Sequence, residues 1–267
     1  MGIMVKKITS IAAQKKPGRF NIFLDGQYAF PVSENVLIKY RLTKGMELTE
    51  DLITALKQAD LQAKAYNKAL DYLSYQLRTE KEISTYLKKL ATPADDIADI
   101  IAKLHELNLL DDLAYAKSYV RTSANTTDKG PFVITQKLKQ KGVSQALITE
   151  ALTEFSLEQQ VQNAVKIAQK FVAKNSSISF QALKTKLQQR LATKGFSSEV
   201  ISLVMDELQL TKDEDQQAEA LKKQAQKIWR RYQRFDEPER SFKLKQALYR
   251  KGFSLTEIES YLQELAE

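Results

Sequence analysis

The sequence predicts a mainly α-helical protein: tandem three-helix repeats forming an elongated, curved array, preceded by a small N-terminal β-hairpin or three-stranded element. Three observations carry this. The stretch "LATKGFSSEVISLVMDEL" at 191–208 returns as "LYRKGFSLTEIESYLQEL" at 248–265, and two earlier segments share its register. Before about Thr49 the apolar residues alternate in twos; after it they recur every three or four. Finally, Asp25-Gly26 divides two alternating runs, the strongest short-range signal for a hairpin.

In "RFNIFLDGQYAFPV" the residues Phe20, Ile22 and Leu24 alternate before the turn, and Tyr28, Phe30 and Val32 after it. Asp-Gly suits a type I′ turn because both central residues need positive φ. A lone hairpin is marginal, and "VKKITSI" at 5–11 offers a third strand with Val5 and Ile8 or Ile11 inward. Thr49–Asp51 reads as a capped helix start, followed by Leu52, Leu56, Ala59, Ala63, Tyr66, Leu70 and Leu73 at helical spacing. The one linker-like stretch is "TSANTTDKGP" at 122–131.

Taking Gly195 and Gly252 as origins, "LKQKGVSQALITEALTEF" fits with Gly142, and the more diverged "LKKLATPADDIADIIAKL" with Ala91. The origins lie 51, 53 and 57 residues apart. Eight residues before them stand Ile83, Ile134, Leu187 and Leu244; four before stand Leu87, Leu138, Leu191 and Leu248. Six after come Ile97, Ile148, Ile201 and Ile258; ten after, Ile101, Leu152, Met205 and Leu262; thirteen after, Leu104, Phe155, Leu208 and Leu265. Each copy is therefore a helix, a short corner and a second helix. The corner glycine supplies a left-handed residue at a helix end. Ser144, Ser197 and Ser254 stand as N-caps, with Glu257 completing a capping box, and the first copy substitutes Thr92 as cap with Pro93 at the first helical position. An amphipathic segment precedes each pair (66–77, 112–121, 157–173, 215–234), which makes three helices per unit. Units that cannot bury their stripes alone stack on their neighbours. The resulting domain bounds are 1–48 for the β element, then 49–110, 111–155, 156–210 and 211–267 for the four repeats.

Composition narrows the chemistry. The absence of cysteine excludes disulfides and thiolate sites and suits a reducing cytoplasm. No apolar run is long enough to span a bilayer, and Lys6 and Lys7 precede no apolar stretch of the kind a secretory signal needs. The single histidine, His105, reads as a surface or packing residue; the glycines form no phosphate-binding motif. The pairs Asp95-Asp96 and Asp111-Asp112 begin helices, where carboxylates cap amides and oppose the dipole, rather than forming metal sites. No enzyme, cofactor or metal is expected.

The net charge of +8 is concentrated. Between Lys222 and Lys251 stand eleven basic and three acidic residues, an excess that accounts for all of it. The partner expected is polyanionic or carries an acidic surface. The densest run is "KIWRRYQRF" at 227–235, where Ile228, Trp229 and Tyr232 read as core and Arg230, Arg231 and Arg234 as contacts for phosphates or carboxylates. Candidate contacts along the chain are Arg121, Lys129, Lys137, Lys139, Lys141, Lys194, Lys227, Arg230, Arg231, Arg234, Arg250 and Lys251. Lys141, Lys194 and Lys251 directly precede the corner glycines, where they also complement helix dipoles.

The segments "LSYQLRTEKEISTYLKKL", "IIAKLHELNLLDDLAYAKSYVR" and "KGPFVITQKLKQKGV", with the N-terminal hairpin, resemble the RecX family of bacterial regulatory proteins along the whole chain. Asp111, Asp112, Tyr115, Ala116, Tyr119 and Arg121 match one signature segment, and Gly130, Ile134, Leu138 and Gly142 the other; both sets look structural. The resemblance implies tandem three-helix repeats and a non-enzymatic modulator, generally an inhibitor, of the RecA recombinase in recombination, DNA repair and the SOS response. Such a protein binds the RecA–DNA filament in its groove and limits growth or promotes disassembly. Implied partners are RecA and, weakly and non-specifically, DNA; no membrane is implied, and the protein would act as a monomer. Shorter members have fewer repeats, so the basic fourth repeat is an elaboration on the shared core. The competing reading is a direct DNA-binding repeat protein with helix-turn-helix-like corners, against which the acidic second helices count.

Overall fold

The computed structural model describes residues 5–264. The chain divides into two compact units: one runs up to Tyr115 and includes Lys141–Val143, the other holds Ala116–Gln140 and everything from Ser144 onward.

In the first unit, β1 (Val5–Ala13), β2 (Arg19–Leu24), β3 (Gln27–Ser33) and β4 (Glu47–Thr49) form an antiparallel sheet in the order β3-β2-β1-β4. Asp25 and Gly26 have φ of 47° and 85°, as the hairpin turn requires. Ile22, Leu24, Phe30 and Val32 are buried, while Phe20 is half-buried and Tyr28 lies outward, ring edge to face with Phe23. Of the candidates in β1, Ile8 is fully buried and Val5 exposed; a register shift between Ile8 and Ser10 reverses the facing of the rest of the strand and leaves Ile11 half-buried. The sheet has a fourth strand that the expected hairpin or three-stranded element lacked. β4 is three residues long, too short for a period, yet Leu48 is fully buried and Val5–Lys7 pair with it. A short helix α1 (Glu34–Lys39) follows β3.

Helix α2 (Glu50–Ser74) starts where Thr49 Oγ1 accepts from the Leu52 amide at 3.2 Å. It serves two cores: Ile53 and Leu56 pack under the sheet, and Ala65 and Ala69 against α3 (Glu80–Lys89) and α4 (Ala94–Glu106). The lead-in segment expected at 66–77 is thus the second half of one long helix. Buried Asp60 accepts from Arg19 at 2.6 Å and from the Ser33 amide at 2.8 Å, tying the sheet to α2. Burial alone would raise its carboxyl pKa, but the bonds from Arg19 and Lys64 outweigh this and hold it below the ordinary value. At the start of α4, Pro93 rather than Thr92 flanks the first turn (φ −57°, ψ 151°), and a proline ring offers no capping oxygen.

The second unit carries most of α5 (Asp112–Thr126), then α6 (Pro131–Gln140) and α7 (Gln145–Leu152). Next come α8 (Leu157–Lys174), α9 (Phe180–Lys194) and α10 (Ser198–Leu208), and finally α11 (Glu214–Arg231), α12 (Glu237–Arg250) and α13 (Leu255–Glu264). Because α5 runs to Thr126, the linker shrinks to the few residues before Pro131.

The repeat register holds on the first helix of every corner: Ile83, Ile134, Leu187 and Leu244, and Leu87, Leu138, Leu191 and Leu248, are all at most 1% exposed. The second helix departs from it in detail. Ile101, Leu152, Met205 and Leu262 are only half-buried, and the deep positions stand one residue earlier at Ile100, Ala151 and Val204. A single helical step of 100° separates the two rows, and the earlier one falls nearer the centre of the stripe. Likewise Val200 is buried where Ile201 was expected, and Leu208 is half-buried; Leu265 lies outside the described residues. Ser144, Ser197 and Ser254 cap as expected, and Ser254 with Glu257 closes a capping box, the Ser254 amide donating to Glu257 Oε2 at 2.6 Å.

Candidate partner-binding surface

The corners bring helix ends together head to tail. Thr79, ahead of α3, donates its hydroxyl to the Lys141 carbonyl at 2.6 Å. The Gly130 and Phe132 amides at the start of α6 donate to the carbonyls of Lys194 and Gly195 at 2.7 and 3.1 Å. Ser179, ahead of α9, donates to the Lys251 carbonyl at 2.6 Å. At each junction, orphan carbonyls of one helix meet donors at the amide end of another, and their dipoles run in the same sense. The corner glycines (φ 85–93°) are therefore held twice, by conformation and by space. A Cβ on Gly195 would lie 2.7 Å from the Val133 amide nitrogen, and one on Gly142 2.5 Å from Lys81 Cβ.

This geometry sorts the candidate cations. Lys141 pairs with Glu82, whose hydrogen bond raises its pKa. Lys194 pairs with Asp128, and this bond, against a smaller desolvation penalty, holds the Asp128 carboxyl below its ordinary value. Arg121 bonds Glu154 at 3.3 Å beside the Lys117–Glu150 pair, a short ladder across α5 and the α7 end. Lys137 donates to Gln140 and Arg250 to Gln246, both within their own helices. Lys139 is exposed and Lys129 half-buried.

On the fourth repeat, Lys227, Arg230, Arg231, Arg234 and Lys251 are exposed, and no carboxylate pairs with them among the described residues. Lys223, Lys227 and Arg230 follow a spacing of four and three, one stripe of α11, with Arg231 beside it and Arg234 in the turn beyond. Like charges at this spacing repel by a few tenths of a kcal/mol unless an anion meets them. Their neighbours in the cluster are otherwise employed. Arg240 donates twice to the Trp229 carbonyl and lies 3.7 Å from its ring centroid, closing the α11 end onto α12. Lys223, Lys243 and Lys245 pair with Glu219, Glu239 and Glu259. Ile228 is buried, and Trp229 and Tyr232 pack half-buried against the same core.

The other polar groups named from the sequence are structural. Asp111 accepts from the Leu113 and Ala114 amides, and Asp112 reaches across to the Glu80 amide at 2.9 Å, capping α3 from α5. Burial raises the Asp112 pKa. His105 is exposed and meets Glu80 at 3.2 Å. Among the described residues no group of His, Asp and Glu could hold a metal ion, and no helix is long and apolar enough to cross a membrane.

Comparison with known proteins matches this architecture piece by piece. Residues 6–49 match the regulatory protein RecX N-terminal domain, 65–104 the first three-helix domain of RecX and 111–152 the second. The third matches twice, at 158–205 and at 214–262. The regulatory protein RecX of Levilactobacillus brevis is 48% identical over 260 residues, 97% of this chain and 98% of its own. That of Bacillus subtilis is 44% identical over 258 residues, 96% and 98% of the two chains. A crystal structure of regulatory protein RecX superposes with a TM-score of 0.71 at 50% identity, covering 75% of this chain and 99% of its own. With four family domains and near-full-length relatives, the chain belongs to the RecX family of regulatory proteins.

Proposed function

We propose that this chain is a non-enzymatic inhibitor of the RecA recombinase that binds the RecA–DNA filament along its groove and limits filament growth or promotes disassembly. The observation that carries the reading is the exposed row Lys227, Arg230, Arg231 and Arg234, uncompensated by carboxylates among the described residues, in a member of this regulatory family. Such cations suit acidic protein surface and phosphate alike. In this reading the protein acts as a cytoplasmic monomer in recombination and repair, and its own affinity for DNA is weak and non-specific. Direct sequence-specific binding of DNA is the weaker reading: the exposed residues on the second helix of the later corners include Glu199, Asp206, Glu207 and Glu259, the wrong sign for a groove.

The deciding experiment measures RecA-dependent ATP hydrolysis and strand exchange with added protein, alongside binding to DNA alone across salt concentrations. Suppression of both reactions near stoichiometric ratios, with DNA binding that fades at moderate salt, is expected. Tight sequence-dependent DNA binding with no effect on RecA would overturn the proposal.

A further inference from the structure

Helix α11 carries a second, oppositely charged surface. Away from its cationic stripe, Ala218 and Trp229 line a groove of about 1100 Å³ that lies over the buried Leu221, Ala225 and Leu244 and is flanked by Tyr261 and Leu262 of α13. Its rim is acidic. Six carboxylates line it against a single cation, Lys222. Glu214 and Glu257 share Lys212, and Glu219 is held by Lys223. Asp215, Glu237 and Glu264 have no ion-pair partner among the described residues.

An apolar floor with an unpaired acidic rim has one complementary occupant. We infer that this groove docks a short basic amphipathic helix from a protein partner, its apolar side on Ala218, Trp229, Tyr261 and Leu262 and its Lys or Arg side toward Asp215, Glu237 and Glu264. The fourth repeat is then two-faced: one side of α11 takes anions, the other a cationic protein segment. The inference does not depend on the RecA reading, because the opposite charge recruits the occupant.

The sole tryptophan of the chain, Trp229, lies in the groove and reports occupancy. The probe is a synthetic Lys/Leu amphipathic peptide of about three turns, titrated against the full chain, with a peptide of the same composition scrambled to break its faces as control. Expected are a saturable shift of Trp229 emission for the amphipathic peptide alone, and binding weakened about tenfold by combined Asp215→Asn, Glu237→Gln and Glu264→Gln. Asp215 and Glu237 stand in first helical turns, so unfolding midpoints are recorded for the triple variant. Lys222→Glu, which removes the one groove cation and disturbs no cap, should tighten binding. No emission shift, equal binding of the scrambled peptide, or indifference to both sets of charge changes would overturn the inference. So would an emission shift that tracks protein concentration alone and sediments as a dimer, since the occupant would then be a second copy of this chain.

Discussion

The hydroxyl of Ser179 donates to the carbonyl of Lys251, 72 residues away, at 2.6 Å, while accepting from the Ala182 amide at 3.2 Å. One side chain thus caps α9 and locks the corner of the next repeat onto it. Thr79 does the same for α3 and the Lys141 carbonyl. Replacing Ser179 by Ala removes both bonds and leaves the Lys251 carbonyl short of a donor. A loss of about 1–3 kcal/mol is expected in chemical denaturation. A loss no larger than that of Ser144→Ala, a cap exposed to solvent, would show that the junction bond contributes nothing.

The corner glycines should respond unequally. A Cβ on Gly195 meets the backbone amide of Val133 at 2.7 Å, which cannot move without displacing α6, whereas on Gly252 it meets the Ser179 hydroxyl at 2.8 Å, a side chain that can turn aside only by giving up its bonds to the Lys251 carbonyl and the Ala182 amide. Gly195→Ala should therefore cost more than Gly252→Ala, which loses about 1–2 kcal/mol from positive φ and, besides that, at most the Ser179 bonds, about 1–3 kcal/mol. Equal midpoints in urea would count against close approach as the reason for glycine here.

These corners also show why some of the architecture was legible in the sequence and some was not. Leu87, Leu138, Leu191 and Leu248 announce the repeat because buried positions tolerate little change in volume. The corner glycine was readable as a helix terminus, and Ala91, left-handed at φ 55°, marks the one corner that follows no earlier three-helix repeat. Its second reason, contact with a preceding helix, was not readable, since which helix end faces which is a tertiary fact. β4 escaped notice because its pairing partner lies some forty residues away. For the candidate surface, charge clustering located Lys227 to Arg234, but spacing could not distinguish them from Lys141 and Lys194, whose partners Glu82 and Asp128 lie on other elements.

Fold and function should separate within the basic cluster. Changing Arg230, Arg231 and Arg234 together to Ala should leave the unfolding midpoint nearly unchanged, because these side chains are exposed, while weakening inhibition of RecA-dependent ATP hydrolysis several-fold. Arg240→Ala should do the reverse: losing two bonds to the Trp229 carbonyl and the stacked ring costs about 1–3 kcal/mol. Leu191→Ala and Leu248→Ala set the scale for a core cavity, about 2–5 kcal/mol each. If the triple change unfolds the protein as Leu248→Ala does, those arginines belong to the architecture.

The acid dependence of the fourth repeat should centre on Glu257. Partial burial disfavours its charge, yet the bonds from Lys212, from the Ser254 amide and hydroxyl and from Gln217 prevail and bring its pKa from 4.5 to about 2. A folded-state pKa below the unfolded one means that folding favours the carboxylate. The stabilisation is complete above about pH 4.5 and disappears as pH falls toward 2. Glu257→Gln cannot titrate, so its deficit in thermal midpoint against the parent should be full at neutral pH and shrink steadily below pH 4.5. Asp60→Asn should behave likewise in the first unit, where Arg19 and Lys64 hold the carboxyl below its ordinary value. Deficits that stay constant with pH would mean that Glu257 stabilises through hydrogen-bond geometry alone, with its charge contributing nothing.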